Sequence, residues 1–300
     1  MKIAITTPTG NVGSKIVENL LNKASDKLIL LARDASKLED ARSKGAVVRE
    51  GTLTDEDYVM YATEDVDTLF WVLPPNYRSH DPIAFYHEVG KIGADAVKQN
   101  KIKQAVLLSS IGGHLGKGVG PVNGFKKVEQ MFRDASGNLR ILRPAYFMEN
   151  LLANVDGIAE AGSIFLPVDG EASTPMIATK DIADVAATVL SSPFNGTQVM
   201  PLHGPRDYSF NEAADIIGEA LGRTVTHVKI SHEQAKEAMV GMGMSEQAAE
   251  SMIELHTAIE TGHVGAEFPR SSDTTTPTTL EEIARTVIAP AVKAKSGAGA

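Results

Sequence analysis

A short apolar run, Ile3 to Thr6, passes directly into Thr7-Pro8-Thr9-Gly10-Asn11-Val12-Gly13, after which Val12, Ile16, Val17, Leu20 and Leu21 recur at helical spacing. A strand, a tight glycine loop and an amphipathic helix in that order constrain a chain more than any other feature here. Gly10 and Gly13 stand where a backbone must approach a pyrophosphate and where the helix must pack close on the strand. The helix that starts there presents free N–H groups and the positive end of its dipole to phosphate oxygens. Thr7 occupies the position of the first glycine of the dinucleotide fingerprint, and Thr7, Thr9 and Asn11 offer hydroxyl and amide hydrogen bonds. A lone Gly-x-x-Gly is also an ordinary tight turn. Its place between strand and helix is what favours binding, and it makes Thr7, Thr9, Gly10, Asn11, Val12 and Gly13 candidate cofactor-binding residues.

The same alternation continues. Further apolar runs occur at Leu28–Ala32, Val47–Val48, Leu69–Leu73, Ala105–Leu108 and Leu139–Leu142, with a polar helix expected over Ser36–Lys44 and a long one over Ile83–Gln99. Continuous rather than alternating apolar strands indicate a sheet buried on both faces, and helical separators make it parallel. The later half predicts strands near Ile164–Leu166, Met176–Ala178 and Val225–Ile230, and helices over Asp181–Leu190, Asn211–Leu221, Glu233–Met242 and Glu246–Thr261. Ser209 with Glu212, Ser231 with Gln234 and Thr279 with Glu282 have capping-box spacing. The tail Lys293–Ala300 is small and polar and is expected to fray. The fold class is therefore α/β: a Rossmann-type doubly wound parallel sheet with a small α+β C-terminal lobe. In the 300-residue chain, residues 1–150 are expected to form the dinucleotide-binding domain, a segment of about 175–202 to return to it, and 151–300 to supply mainly the smaller substrate or partner lobe.

Composition narrows the partners. A net charge of -9 argues against general binding to nucleic acid or an anionic membrane, since both need a positive field. No apolar run approaches the ~20 residues of a membrane helix, and the N-terminus lacks a signal-peptide pattern. With no cysteine there is no thiolate chemistry. A cytoplasmic protein is the expectation. The histidines are scattered without ligand spacing, so no metal site is expected.

The other strand ends supply further candidates. A carboxylate after the second strand would hold a ribose 2′-hydroxyl; here that strand ends Leu31-Ala32-Arg33. A guanidinium suits a 2′-phosphate, and Lys37 adds charge, so NADP(H) is preferred and NAD(H) is the alternative. Asp34 either caps the following helix or pairs with Arg33. Thr52 and Leu53 are placed to touch the adenine. Leu73, Pro74 and Pro75 form a rigid edge that also terminates a strand. Ser109 and Ser110 point toward the nicotinamide end. His114 is a candidate for the acceptor site, although a solvent-exposed loop histidine is its ordinary fate. Pro144, Tyr146 and Phe147 offer an aromatic wall, and Asn150 a two-sided amide; core packing is the plain alternative.

These segments resemble the NmrA-like family of atypical short-chain dehydrogenases. Thr7 to Gly13 resembles its Gly-Ala-Thr-Gly-x-x-Gly loop, Arg33 to Leu38 the segment after its second strand, and Gly51-Thr52-Leu53-Thr54-Asp55 its Gly-Asp-Leu-x-Asp segment, with Thr52 in place of aspartate. Ser109-Ser110, Leu142-Arg143-Pro144-Ala145-Tyr146-Phe147-Met148-Glu149-Asn150 and Thr276 to Leu280 are similar to the corresponding family segments, and the Arg-Pro…Glu-Asn stretch is the most specific. The resemblance implies NAD(P)(H) binding at these loops and a small lobe forming the substrate cleft. It implies one of two functions: NADPH-dependent reduction of a quinone or similar small molecule, or a redox-sensing regulator that binds a protein partner with little turnover.

One departure bears on mechanism. Short-chain dehydrogenases carry a Tyr-x-x-x-Lys pair, which the family register places at Pro121 and Phe125. Neither moves protons. Lys126 and Lys127 are adjacent: either a small register shift turns one inward, or both are solvated helix residues. Ser110 and Lys126 are the catalytic candidates. Hydride transfer needs mainly contact between nicotinamide and acceptor, which favours a quinone-type acceptor over an alcohol–ketone pair.

Overall fold

The computed structural model describes residues 1–22, 27–265 and 269–297. The first six strands are β1 (Lys2–Thr6), β2 (Lys27–Ala32), β3 (Val47–Glu50), β4 (Thr68–Val72), β5 (Gln104–Leu108) and β6 (Leu139–Pro144). Between them run α1 (Gly13–Leu21), α2 (Glu39–Ser43), α3 (Glu56–Ala62), α4 (Pro82–Gln99) and α5 (Phe125–Ala135). There follow β7 (Tyr146–Phe147), α6 (Val155–Ala161), β8 (Ser163–Leu166), β9 (Ser173–Ile177), α7 (Thr179–Leu190) and β10 (Thr197–Leu202). The chain continues through β11 (Asp207–Ser209), α8 (Phe210–Leu221), β12 (Thr226–Lys229), α9 (His232–Gly241), α10 (Glu246–Glu260), α11 (Leu280–Ile283) and α12 (Ala289–Gly297).

Seven strands form one parallel sheet in the order β10-β6-β5-β4-β1-β2-β3. Alternate residues of each strand enter different cores, which is why the strands read as unbroken apolar runs. Ile3, Ile5, Leu28, Leu30, Phe70 and Val106 pack with α1 and α7 on one face. Ala4, Ile29, Leu31, Trp71, Leu107 and Ile141 pack with α3, α4 and α5 on the other. The strand order reverses between β1 and β4, so a crevice opens at the C-terminal ends of those strands. A third core gathers α6, α8, α10, α11 and α12 with two small sheets, β11-β9-β7 and β12-β8.

Several expectations are corrected. The polar helix of residues 36–44 is a 3-10 turn, Ala35–Leu38, followed by the short α2. Within the segment of about 175–202 expected to return to the first domain, β10 is a strand that was not expected, the seventh of the large sheet; as an edge strand holding Pro201 it shows no apolar run. The tail helix α12 runs to Gly297 with Val292 buried, so residues 293–297 are ordered as helix; 298–300 lie outside the described residues. Ser209 and Ser231 form full capping boxes, whereas Thr279 only accepts from the Glu282 amide. Among the described residues no helix is long and apolar enough to cross a membrane.

Candidate dinucleotide and acceptor site

Because the sheet is parallel, the loops that leave β1 to β6 emerge on one edge, and the candidate residues lie on them. At the switch point the β1–β4 ladder stops at Ile5 and Phe70. Beyond it the Thr6 hydroxyl donates to the Phe70 carbonyl (3.1 Å) and accepts from the Val72 amide (3.0 Å). A side chain inserted where main-chain pairing would continue holds the strands apart. Nothing in the sequence distinguished Thr6 from the rest of its strand.

The glycine loop turns through Thr7, whose φ of 50° is left-handed, a conformation that disfavours a β-branched residue. Gly10 N–H donates to the Thr7 carbonyl at 3.0 Å. A Cβ on Gly13 would lie 2.1 Å from that carbonyl oxygen, so only glycine lets α1 pack there. Val12 caps α1 without a side-chain hydrogen bond, and the first turn holds no acidic residue. The amides of Asn11, Val12 and Gly13 meet no acceptor among the described residues. Thr9 and Asn11 are exposed, Thr7 half-buried and Val12 buried. This helix mouth is polar, positive and unfilled by its own side chains.

Arg33, at the end of β2, is exposed and makes no hydrogen bond or ion pair with a described residue. Asp34 caps the 3-10 turn, accepting from the Ser36 amide (3.1 Å) and hydroxyl (2.6 Å). The Ser36 hydroxyl and then the Ser36 amide hold its carboxyl below the usual range, so it stays ionised. Lys37 approaches it to 3.9 Å and offsets that charge. The alternatives for Asp34 thus resolve to a cap, and it does not pair with the Arg33 guanidinium. Thr52 is exposed and bonded to the Thr54 hydroxyl, while Leu53 is half-buried. Leu73 is buried, so only its backbone can face a ligand; Pro74 is half-buried and Pro75 exposed.

At the nicotinamide end the expectations divide. The Ser109 hydroxyl is buried and donates to Glu129 Oε1 at 2.6 Å, so it does not face the crevice as expected. Glu129 also accepts from Arg143 Nε (2.9 Å) and Nη2 (2.6 Å). One buried carboxylate thereby ties α5 to the ends of β5 and β6. Ser110 is half-buried, its hydroxyl donating to the Ile111 carbonyl. His114 is half-buried rather than exposed. Lys126 and Lys127 are exposed, so no register shift turns either inward.

Pro144 is buried, and Tyr146 and Phe147 are half-buried. Tyr146 stands edge-on to Phe210 at 6.1 Å, and burial pushes its phenol pKa up, so it remains a neutral donor. Asn150 is exposed. Glu149, its neighbour, is buried and accepts from the Thr179 amide (3.0 Å) and hydroxyl (2.5 Å), capping α7 from 30 residues away. Pro121 lines a small cleft with Tyr77, Tyr86 and Met252, and Phe125 packs edge-on to Tyr86 at 5.4 Å. Both positions of the proton-relay pair are therefore apolar contacts.

The crevice, the uncapped helix and the Arg143–Glu149 stretch accord with the profile of the NmrA-like family, which matches residues 1–284. The chain belongs to the NmrA-like family. An NAD(P)H azoreductase of Xenophilus azovorans is 32% identical over 254 residues, covering 85% of this chain and 86% of that protein. The fold is shared with a Citrobacter sp. triphenylmethane reductase complexed with NADP(H), at a TM-score of 0.80 and 22% identity over 95% of this chain and 99% of that one. An NADPH-dependent quinone oxidoreductase from Escherichia coli gives 0.76 at 22% identity, over 94% and 98% of the two chains. This NmrA-like chain also has a feature that motif reading missed. Gly112, Gly116, Gly118 and Gly120, in the loop after β5, all have left-handed φ. Their near-alternation from Gly116 to Gly120 was a visible signal of a tightly wound loop.

Proposed function

We propose that this protein binds NADP(H) across the β1–β4 crevice and reduces a small acceptor, a quinone or an azo compound. The observation that carries the reading is the uncapped N-terminus of α1 opening at the switch point, with Arg33, which has no partner among the described residues, on the loop after β2. The azoreductase relative supports the cofactor and the acceptor class. A reduced nicotinamide dinucleotide bound there supplies a hydride. In this reading the amides of Asn11 to Gly13 hold the diphosphate, and Arg33 with Lys37 receives the 2′-phosphate. Thr52 and Leu53 border the adenine, and Leu73, Pro74, Pro75, Ser110 and Pro144 flank the nicotinamide ribose. Tyr146, Phe147, His114 and Asn150 border the acceptor. Residues 1–150 with the segment of about 175–202 form the binding unit, and the remainder closes the acceptor side.

Tyr146 can donate a hydrogen bond to a developing oxyanion or nitrogen anion, and solvent supplies the proton. Lys126, exposed at the start of α5, acts on charge rather than as a buried proton relay. Steady oxidation of NADPH by a simple quinone or an azo dye tests the proposal. Tight NADPH binding without turnover across both panels would contradict it and favour the regulatory alternative, in which the same crevice reports redox state to a protein partner.

A further inference from the structure

Between Asp95 and Glu129 the chain carries no carboxylate but six lysines: Lys98, Lys101, Lys103, Lys117, Lys126 and Lys127. The fold separates them. Lys98, Lys101 and Lys103 lie beside the N-terminal end of β5, where Lys103 pairs with Asp67. Lys117, Lys126 and Lys127 lie at its C-terminal end, are exposed, and form no ion pair with a described residue. The loop after β5 gathers them. A Cβ on Gly116 would lie 2.8 Å from Lys126 Cδ, so the Lys126 stem rests on that glycine. A Cβ on Gly118 would lie 3.0 Å from the His263 ring Nε2. Lys117 stands between the two. The same loop meets the second lobe, because a Cβ on Gly112 would touch Val264 and one on Gly120 would strike the Ser251 carbonyl. It thus lies where the sheet edge meets the second lobe, the side that the reductase reading gives to the acceptor. Of the described carboxylates on the elements packed here, Glu129 is paired with Arg143, whereas Glu254, on the facing helix α10, accepts from the Asn123 amide at 3.2 Å and keeps its charge.

We infer that Lys117 and Lys126, with His263 beside them, form an anion-selecting rim, and that the preferred acceptor is an aromatic quinone or azo compound bearing a sulfonate or carboxylate. This rests on the reductase reading for its substrate class. A protein of net charge -9 repels an anionic acceptor at long range, so a local pair of lysines that no described carboxylate neutralises is what admits one. Orientation follows too: the anionic group stays at the rim while the reducible centre lies deeper, toward Tyr146 and the end of β5.

The test pairs 1,4-naphthoquinone-2-sulfonate with uncharged 1,4-naphthoquinone under NADPH, in the wild type and in K117E/K126E. The expected result is a kcat/KM ratio favouring the sulfonate, shrinking as salt rises from low to ~0.5 M, and falling about tenfold in the variant. Calorimetric titration of the NADP-loaded protein with unreactive naphthalene-2-sulfonate provides a second readout. Its affinity should fall about tenfold in the variant. Equal ratios in the two proteins, or arylsulfonate affinity unaltered by the substitutions, would overturn the inference. If neither quinone is turned over, the reductase reading fails, and the arylsulfonate titration alone decides whether the rim selects anions.

Discussion

At the scale of single residues, the cofactor site rests on groups that have no partner among the described residues. Arg33 is one. Substituting Arg33→Ala should weaken NADPH by about 1.5–3 kcal/mol and NADH little, because the charge-assisted contact exists only for the 2′-phosphate. Parallel titrations of both coenzymes read this directly; equal losses for the two would remove the guanidinium from the phosphate site. Gly13 is the opposite case, a residue defined by what it lacks. Gly13→Ala drives a methyl into the Thr7 carbonyl, and urea denaturation should show a loss of about 1–3 kcal/mol together with weaker coenzyme binding. An alanine protein as stable as wild type would mean the loop shifts freely. Gly13 was legible in the sequence because a fixed motif spacing encodes a local backbone need. Ser109 was misread because its partner, Glu129, is 20 residues away and no local pattern announces that pairing. Asp34 stayed ambiguous until the turn geometry gave its carboxylate to Ser36.

At the scale of elements, three buried carboxylates, Glu129, Glu149 and Asp181, tie together the elements around the crevice. Glu129 joins α5 to β5 and β6 through Ser109 and Arg143, both buried. Removing it strands a buried guanidinium, so Glu129→Ala should cost about 3–5 kcal/mol in chemical denaturation. Adding Arg143→Met should recover part of that loss; no recovery would show that packing rather than charge is at stake. Glu149 caps α7 and Asp181 fastens that helix to the segment before α11, accepting from the Thr278 amide and hydroxyl. The sequence marked the Arg143–Asn150 stretch as its most specific piece, and the structure explains two of its residues as structural ties. Strands β1, β2, β4, β5 and β6 could be seen in advance because burial on both faces leaves continuous apolar runs, and the edge strand β3 through Val47 and Val48 alone. β10 could not, because an edge strand with a half-exposed pattern resembles a loop.

At the scale of the whole molecule, stability responds to pH through a buried histidine. His256 on α10 is 8% exposed, and burial lowers its pKa to about 4. The unfolded chain binds a proton there near pH 6.5 while the folded chain resists it, so stability falls as pH drops through that window and levels off near pH 4. The loss is on the order of 3 kcal/mol. Denaturation midpoints between pH 4 and 7 should show this slope, and His256→Gln should flatten it; an unaltered slope would assign the effect elsewhere. The arrangement of the two lobes was only partly legible, since the second lobe is assembled from short strands and helices whose partners lie far apart in sequence. What unites the scales is a parallel sheet whose strand order reverses beside an uncapped helix. The most direct check is a calorimetric titration of the purified protein with NADPH and NADH. The account predicts saturable one-site binding with NADPH the tighter; no measurable affinity for either coenzyme would contradict it.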